Sequence, residues 1–545
     1  MSTQTTGAAV ERRDPAHAPW FALTVIVLAQ LQMAISISAL PVSLGPIAED
    51  LGAPATAPAT ALLVYSLFVA ALVMPGAKLG KLVGERRVFQ VGVVVHGAGM
   101  VLMATSTDAA TMNTAQAIAG VAASILVPTL VVLIAANYLG RQQETSLGVL
   151  AGIPAVASAL TFVVAGFLAT ALSWRYTYWL IVVLAVVVLV LSARLQPIPR
   201  QPHIRIDAVG VALSAAAIAL VLLGFNNLQT WGPLTAEEAA PFSVLRVSPA
   251  PLSIVLGIVL GQAFFAWSHR RVRSGRQPLL ALEVLDSREE RSAMVAFLVA
   301  GSLGLAVGFL IPLYVQIVQD RTPLFSAVAI LPYAGAVALS GVMSVRFYDR
   351  LSARRLGTAS FVLITVGLVV VAFTVGNAWS TIAVIVGLIV VGIGEGTLLT
   401  LLFNVLVSAA PKELAGDVGA LRGVANNVSN AVGAAFASVV AVGLLGLLLS
   451  SASARSDLPA ELQTKVLFDE VDFVTNDELR EVLGAASATP EQVDEAVRIN
   501  EDARLGAIRA SLLIMAGISL ASVLPARRLP RYVPGELPAD APAPP

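Results

Sequence analysis

The chain has 545 residues, 57% of them hydrophobic and only 12% charged, with a mean hydropathy of +0.83 and 34 basic against 34 acidic side chains. A soluble domain carries about 25% charged residues, so no single soluble core accommodates this apolar surface, and the neutral balance leaves no basic surplus for nucleic acid. There is no cysteine, which excludes disulfides, thiolate metal sites and a cysteine nucleophile.

Four scattered histidines without HExxH spacing, and no GxxxxGK[ST], point away from a metal centre and from a built-in ATPase. No catalytic residue, metal ligand or cofactor is expected, and the chain is read as a non-enzyme. Thirty arginines against four lysines, beside abundant alanine, point to a GC-rich bacterial genome through codon use.

Residues 1–19 form a polar tail. The first apolar run, Trp20 to Pro41, is too long for a signal peptide and lacks the small-residue cleavage pattern. It is a retained helix. Thirteen further spans follow near 59–76, 88–105, 115–138, 147–172, 176–195, 208–228, 251–267, 292–318, 323–345, 356–374, 380–408, 416–449 and 507–524. A helix of about 20 apolar residues crosses a bilayer, so the sequence reads as an all-α polytopic membrane protein with fourteen crossings.

Basic residues accumulate on the cytoplasmic side of membrane proteins. With both termini cytoplasmic, 24 of the 34 Lys and Arg fall in inside segments, and only Arg175, Arg246 and Arg321 fall in short outside loops. This places the chain in a cell inner (plasma) membrane, with residues 525–545 as a cytoplasmic tail. The polar, acidic stretch 450–506 then lies outside. Within it Thr489, Pro490 and Glu491 read as N-cap, first position and first turn of a short helix.

Several motifs occur in register with these spans. They are ISALP (37–41), GERRVF (84–89), ILVPTL (125–130) and SWRYTYWL (173–180) in the first half. PLYVQ (312–316), TPL (322–324), LP (331–332), RFYDRLSARR (346–355) and GDVGALRGVANNVSNAVG (416–433) follow in the second. Together they resemble the major facilitator superfamily, specifically its fourteen-helix multidrug:proton antiporters, over nearly the full chain. The resemblance implies a six-helix bundle over 20–195, a two-helix insert over 208–267 and a second six-helix bundle over 292–524, working as a monomer.

The departures from that family are informative. Gln32 stands where the family has an acidic residue nine positions before the first-helix proline, and Ala77 and Lys81 replace a glycine and an aspartate of the loop between helices 2 and 3. Gln116 takes an arginine position on helix 4, with Ala119-Gly120 at a Gln-Gly pair. Thr161-Phe162 and Ala165-Gly166 replace the Gly-Pro and Gly-Gly pairs of helix 5. The first half thus lacks the family's proton-handling groups, since glutamine hydrogen-bonds without carrying a proton.

Glu395, in VVGIGEGTLLT, is the one carboxylate near the middle of any span. An ionised group inside a bilayer is costly and is a functional candidate by default, so Glu395 is the proton-coupling candidate, the alternative being a structural carboxylate that is protonated or bonded to a neighbouring helix. Substrate-cavity candidates are Gln32 and Ser36, one turn apart on helix 1, with Gln316, Asn404, Asn426 and Asn430. Interhelical hydrogen bonding is the alternative for the helix 1 pair and equally for Gln316 and Asn404, and His96 reads as a buried packing partner in preference to a proton relay.

The resemblance also implies a cytoplasmic gate. The family's loop aspartate faces the positive N-terminal end of a helix that corresponds to span 13 here. That span begins GDVGALR, so Lys81 opposite Asp417 is expected to form a charge-swapped latch, with Arg422 further in, the alternative being that both side chains are solvated. Asp349 and Arg350 keep the family pattern in the second-half copy.

The resulting expectation is a secondary transporter with two bundles rocking about a midplane site. It would export hydrophobic or amphipathic small molecules, as in drug efflux and multidrug resistance, as an antiporter with protons coupled through the C-terminal half. Rival readings are an uncoupled facilitator or dedicated lipid or metabolite exporter, and a non-transporting membrane scaffold or receptor whose 450–506 loop binds a partner.

Overall fold

A computed structural model describes residues 19–52, 57–200, 205–285, 287–319, 321–348, 350–376, 381–453, 476–485 and 488–530. Fourteen helices within them are long and apolar enough to cross a membrane. They are α1 (Phe21–Val42), α2 (Ala57–Val83), α3 (Glu85–Ala104), α4 (Ala109–Asn137), α5 (Gly140–Ala171), α6 (Arg175–Ser192) and α7 (Ala208–Asn226). The second seven are α8 (Pro249–Arg273), α9 (Arg288–Leu313), α10 (Pro323–Met343), α11 (Ala353–Thr374), α12 (Thr381–Ala409), α13 (Ala415–Ser453) and α14 (Pro490–Ala521). The chain is a multi-pass membrane protein.

Backbone polarity must be satisfied inside hydrocarbon, which only a helix achieves within one segment. Where helices begin in water, side chains take over. Asp108 accepts from the Thr111 N–H at 2.8 Å to cap α4, and Ser287 with Glu290 closes a reciprocal capping box on α9.

Helices α1–α6 pack among themselves and α9–α14 do the same, while α7 and α8 pair as a hairpin. Asp207 clasps that hairpin, accepting from Trp267 Nε1 at 3.0 Å and pairing with Arg271 Nε at 3.4 Å. α7 leans on both α2 and α13, so the insert touches each half. On the N-terminal half, Trp174 Nε1 donates to Asp50 at 3.1 Å, while Arg175 pairs with Asp50 and donates to the Ser106 carbonyl at 2.7 Å. Both tryptophan–arginine signature residues therefore tie α6 to the segment following α1.

Several helices extend beyond the spans read from the sequence, and two of these boundaries have a clear physical cause. The second span continues past 76 to Val83, because Lys78 and Lys81 are charge-paired and buried rather than turned to water. The last helix starts at Pro490, so the short helix expected at Thr489 and the final span are one rod. Thr489 does cap it, in a capping box with Gln492. It runs on because Ala496, Ala503 and Ala507 continue one apolar face, in a cluster with Leu445 and Leu449 of the lengthened α13 and with Leu479 and Leu483 of a helix at Asn476–Ala485. The described part of 476–506 is thus largely helical and packed.

The two halves meet mainly through α13 against α2 and α4, and through α10 and α12 against α5. Glycines set these approaches. A Cβ on Gly419 would lie 2.9 Å from Pro128 Cα, and one on Gly148 would lie 2.9 Å from the Gly341 carbonyl oxygen. Small residues let helix backbones approach closely where lipid gives no hydrophobic drive. These contacts lie toward one end of the bundle, where α2, α4, α10 and α12 finish and α5 and α13 begin.

Candidate functional site

Glu395 lies on α12 and is 7% exposed. Tyr333 of α10 donates its hydroxyl proton to Glu395 Oε2, and the same hydroxyl lies 3.3 Å from the Gly304 carbonyl of α9. The carboxyl group rests directly against Gly304, where any side chain would collide with it. Beside it, Gly392 and Gly396 bring α12 against the α10 backbone. Among the described residues no basic side chain pairs with Glu395. The site is therefore a nearly dry carboxyl at the junction of three helices of the second half, held by one phenol.

The first half has a buried polar cluster of different chemistry. Gln32 Nε2 lies 2.8 Å from His96 Nδ1, and Ser36 Oγ donates to the Met33 carbonyl at 2.8 Å while lying 3.5 Å from His96 Nε2. Gln32, Ser36 and His96 are each fully buried. Gln32 and Ser36 both face α3 inside the bundle, where His96 supplies hydrogen-bond partners that lipid would not.

The remaining cavity candidates separate by exposure. Asn404 is interior: it is 1% exposed, and its Nδ2 donates to the Thr400 carbonyl at 3.0 Å beside the Tyr348 hydroxyl at 3.5 Å. Gln316 is half-buried within a π-helical turn, Tyr314–Val318, that continues α9. Such turns recur at functional sites. Asn426 and Asn430 are exposed on one face of α13, one turn apart. Below them Arg422 stacks its guanidinium over the Phe403 ring of α12 at 4.4 Å.

Two of the gate candidates, Lys81 and Asp417, meet, and Lys78 joins them. Lys81 Nζ donates to Asp417 Oδ2 at 2.6 Å, and Lys78 Nζ donates to Asp417 Oδ1 at 2.7 Å. Asp417 is 1% exposed. Glu85, also buried, lies against Gly80 and within electrostatic reach of Lys81 and Asp417.

Local structure explains the placement. Gly84 takes φ +108°, which an L side chain rarely adopts, and the resulting turn folds Glu85 back under α2. Asp417 is in the first turn of α13 and Lys81 in the last turn of α2, each favoured by its helix dipole. Arg350 is exposed, and Asp349 lies outside the described residues.

Sequence reasoning missed Lys78, Glu85, Tyr333 and Asp50. Lys78 was signalled by its i,i+3 spacing from Lys81, which puts both ammonium groups on one helix face. Tyr333 carried no comparable signal, because its partner is 62 residues away on another helix.

The model of the Major Facilitator Superfamily matches residues 26–434, from α1 into α13. The chain belongs to that superfamily of transporters. It is 28% identical over 439 residues to the multidrug efflux pump LfrA of Mycolicibacterium smegmatis, covering 80% of this chain and 83% of the relative. It is 26% identical over 447 residues to the puromycin resistance protein pur8 of Streptomyces alboniger, covering 80% and 84%. Among solved structures, the human organic anion transporter MFSD10 matches with a TM-score of 0.57 at 13% identity, over 94% of this chain and all of that one.

Proposed function

We propose that the protein is a secondary exporter of hydrophobic or amphipathic small molecules, driven by protons that bind and leave Glu395. The observation that carries this reading is the carboxyl itself: 7% exposed, hydrogen-bonded to Tyr333, and without a cation partner among the described residues. A carboxyl in this setting alternates between a charge that an apolar interior disfavours and a neutral acid that it accommodates. That alternation couples protonation to the packing of α9, α10 and α12.

Relatives named for multidrug efflux and puromycin resistance support the cargo class. The exposed amides of Asn426 and Asn430 supply hydrogen bonds without net charge, which suits apolar or amphipathic cargo better than polyanions.

With both termini in the cytoplasm of a bacterial inner membrane, the end where the halves meet is the cytoplasmic one. Lys78, Lys81 and Asp417 then act as the latch that holds it shut. A buried ion pair adds little net stability, but removing one partner costs about 3–5 kcal/mol. The cluster therefore makes the shut state definite, and opening must separate α13 from α2 or rehydrate three charges.

The test is dye extrusion in an efflux-deficient bacterium with the pH gradient intact or collapsed. Wild type is expected to extrude lipophilic dyes only with the gradient, Glu395→Gln to lose that response, and Tyr333→Phe to keep a reduced one. Gradient-driven extrusion that survives in Glu395→Gln overturns the coupling role. Wild-type extrusion indifferent to the gradient would instead identify an uncoupled carrier.

A further inference from the structure

At the end of the bundle where α9 and α11 begin, a cavity of about 650 Å³ opens between these helices and the turn Val523–Ala526 that follows α14. Five arginines line it: Arg288, Arg291, Arg354, Arg527 and Arg528, with a single carboxylate, Glu289. We propose that this cavity is a binding site for a phosphate-bearing anion at the membrane surface, its fit being to the headgroup of an anionic phospholipid.

Three observations support the assignment. First, the cavity is strongly cationic, with five arginines to one carboxylate in its lining. Among the described residues no carboxylate pairs with Arg288, Arg527 or Arg528, and all three are exposed. Guanidinium groups converging on one concavity repel each other, and their forked donors match phosphate oxygens bidentately.

Second, the wall is built rather than loose. Arg354 is half-buried and spends its Nε on the Leu529 carbonyl at 3.3 Å, while its backbone N–H donates to the Pro530 carbonyl at 3.1 Å. That pairing fixes the segment carrying Arg527 and Arg528 against α11. Arg291 Nε is likewise held by the Ser287 carbonyl at 3.2 Å. Two arginines thus shape the cavity, and three remain to meet a ligand.

Third, the cavity leads from charge to apolar surface. Val295, two turns along α9 from Arg288, lines the same cavity and is 49% exposed, and Leu524 beside its rim is 65% exposed. A free phosphate uses only the arginines. A phospholipid uses both zones, with its phosphate among the arginines and its acyl chains along Val295 and Leu524, the arrangement by which basic pockets between membrane helices take anionic headgroups.

The site lies apart from Glu395 and from the Lys78–Asp417 cluster, so it stands or falls independently of the transport reading. The test uses the purified full-length chain in nanodiscs of phosphatidylcholine with or without phosphatidylglycerol, reading retained phosphatidylglycerol by native mass spectrometry. Wild type is expected to retain it. Arg288→Gln and Arg528→Gln should each lower retention about fivefold, and the double variant about 25-fold.

Arg270→Gln/Arg273→Gln, at the same end but on α8 outside the cavity, should leave retention unchanged. If the double glutamine variant fails to fold, the two single variants and the charge-keeping Arg288→Lys/Arg528→Lys still report, the latter retaining more lipid than either glutamine variant. A second arm adds inorganic phosphate or glycerophosphoglycerol to lipid-poor detergent samples. Thermal stabilisation of wild type but not of the glutamine variants would assign the same site to a soluble phosphate source. Equal loss in cavity and α8 variants, or no loss in the cavity variants and no stabilisation by phosphate, overturns the proposal.

Discussion

The two halves each bury a polar cluster within a helix junction, but the clusters differ in what they can exchange with water. In the first half, Gln32, Ser36 and His96 close on one another between α1 and α3, and none of them is a carboxyl group. In the second, Glu395 is joined by Tyr333 between α9, α10 and α12, and its partner is a phenol rather than a cation. On the proposed reading, the first half supplies structural cohesion and the second proton chemistry. A third cluster, Lys78–Lys81–Asp417, belongs to neither half and joins them.

The most drastic break in this comparison is Glu395→Gln. It keeps the hydrogen bond with Tyr333 and removes the exchangeable charge, so gradient-driven extrusion is expected to fall to the level of cells lacking the protein, with thermal unfolding little changed.

Next in size is Asp417→Asn, which leaves Lys78 and Lys81 buried without their carboxylate. Joining of the halves should weaken by about 3–5 kcal/mol. Spin labels on one cysteine in α2 and one in α13 report this directly, because the natural chain has no cysteine to compete. A broadened or lengthened distance distribution at that end is expected, and an unchanged one would dissociate the cluster from joining.

Gly419→Val sharpens the same point sterically. Its Cβ would lie 2.9 Å from Pro128 Cα, an overpacking of about 1–3 kcal/mol expected to lengthen the same spin-label distance without altering any charge.

The smallest effect is expected in the first half. Gln32→Leu removes one hydrogen bond to His96 and leaves a buried ring nitrogen short of a partner, at a cost of about 1–3 kcal/mol. Thermal stability should drop while the gradient dependence of extrusion persists. A loss of coupling in this variant as severe as in Glu395→Gln would erase the distinction between the halves.

How legible these clusters were in the sequence varied with their chemistry. The fourteen spans could be read because hydrocarbon thickness fixes a length of about 20 apolar residues whatever the neighbours are. Glu395 stood out for a related reason: a lone carboxylate within an apolar run is conspicuous against its own helix. The direction that Gln32 and Asn404 face was not legible. A membrane helix can be apolar on its packed side and its lipid side alike, so the amphipathic stripe that orients a soluble helix is weak or missing.

The sequence by itself therefore determined the number and extent of most crossings, the family resemblance, and the type of charge at 81, 395 and 417, since each depends only on local composition or spacing. Tertiary structure alone decided that Lys78 joins Lys81 on Asp417, that Tyr333 serves Glu395, and that Gln32 turns to His96. It also gathered Arg288, Arg354 and Arg528 around one cavity from three distant segments. Each of these depends on which helix faces meet, and that is set by small residues such as Gly304, Gly396 and Gly419, which allow close approach without naming the partner.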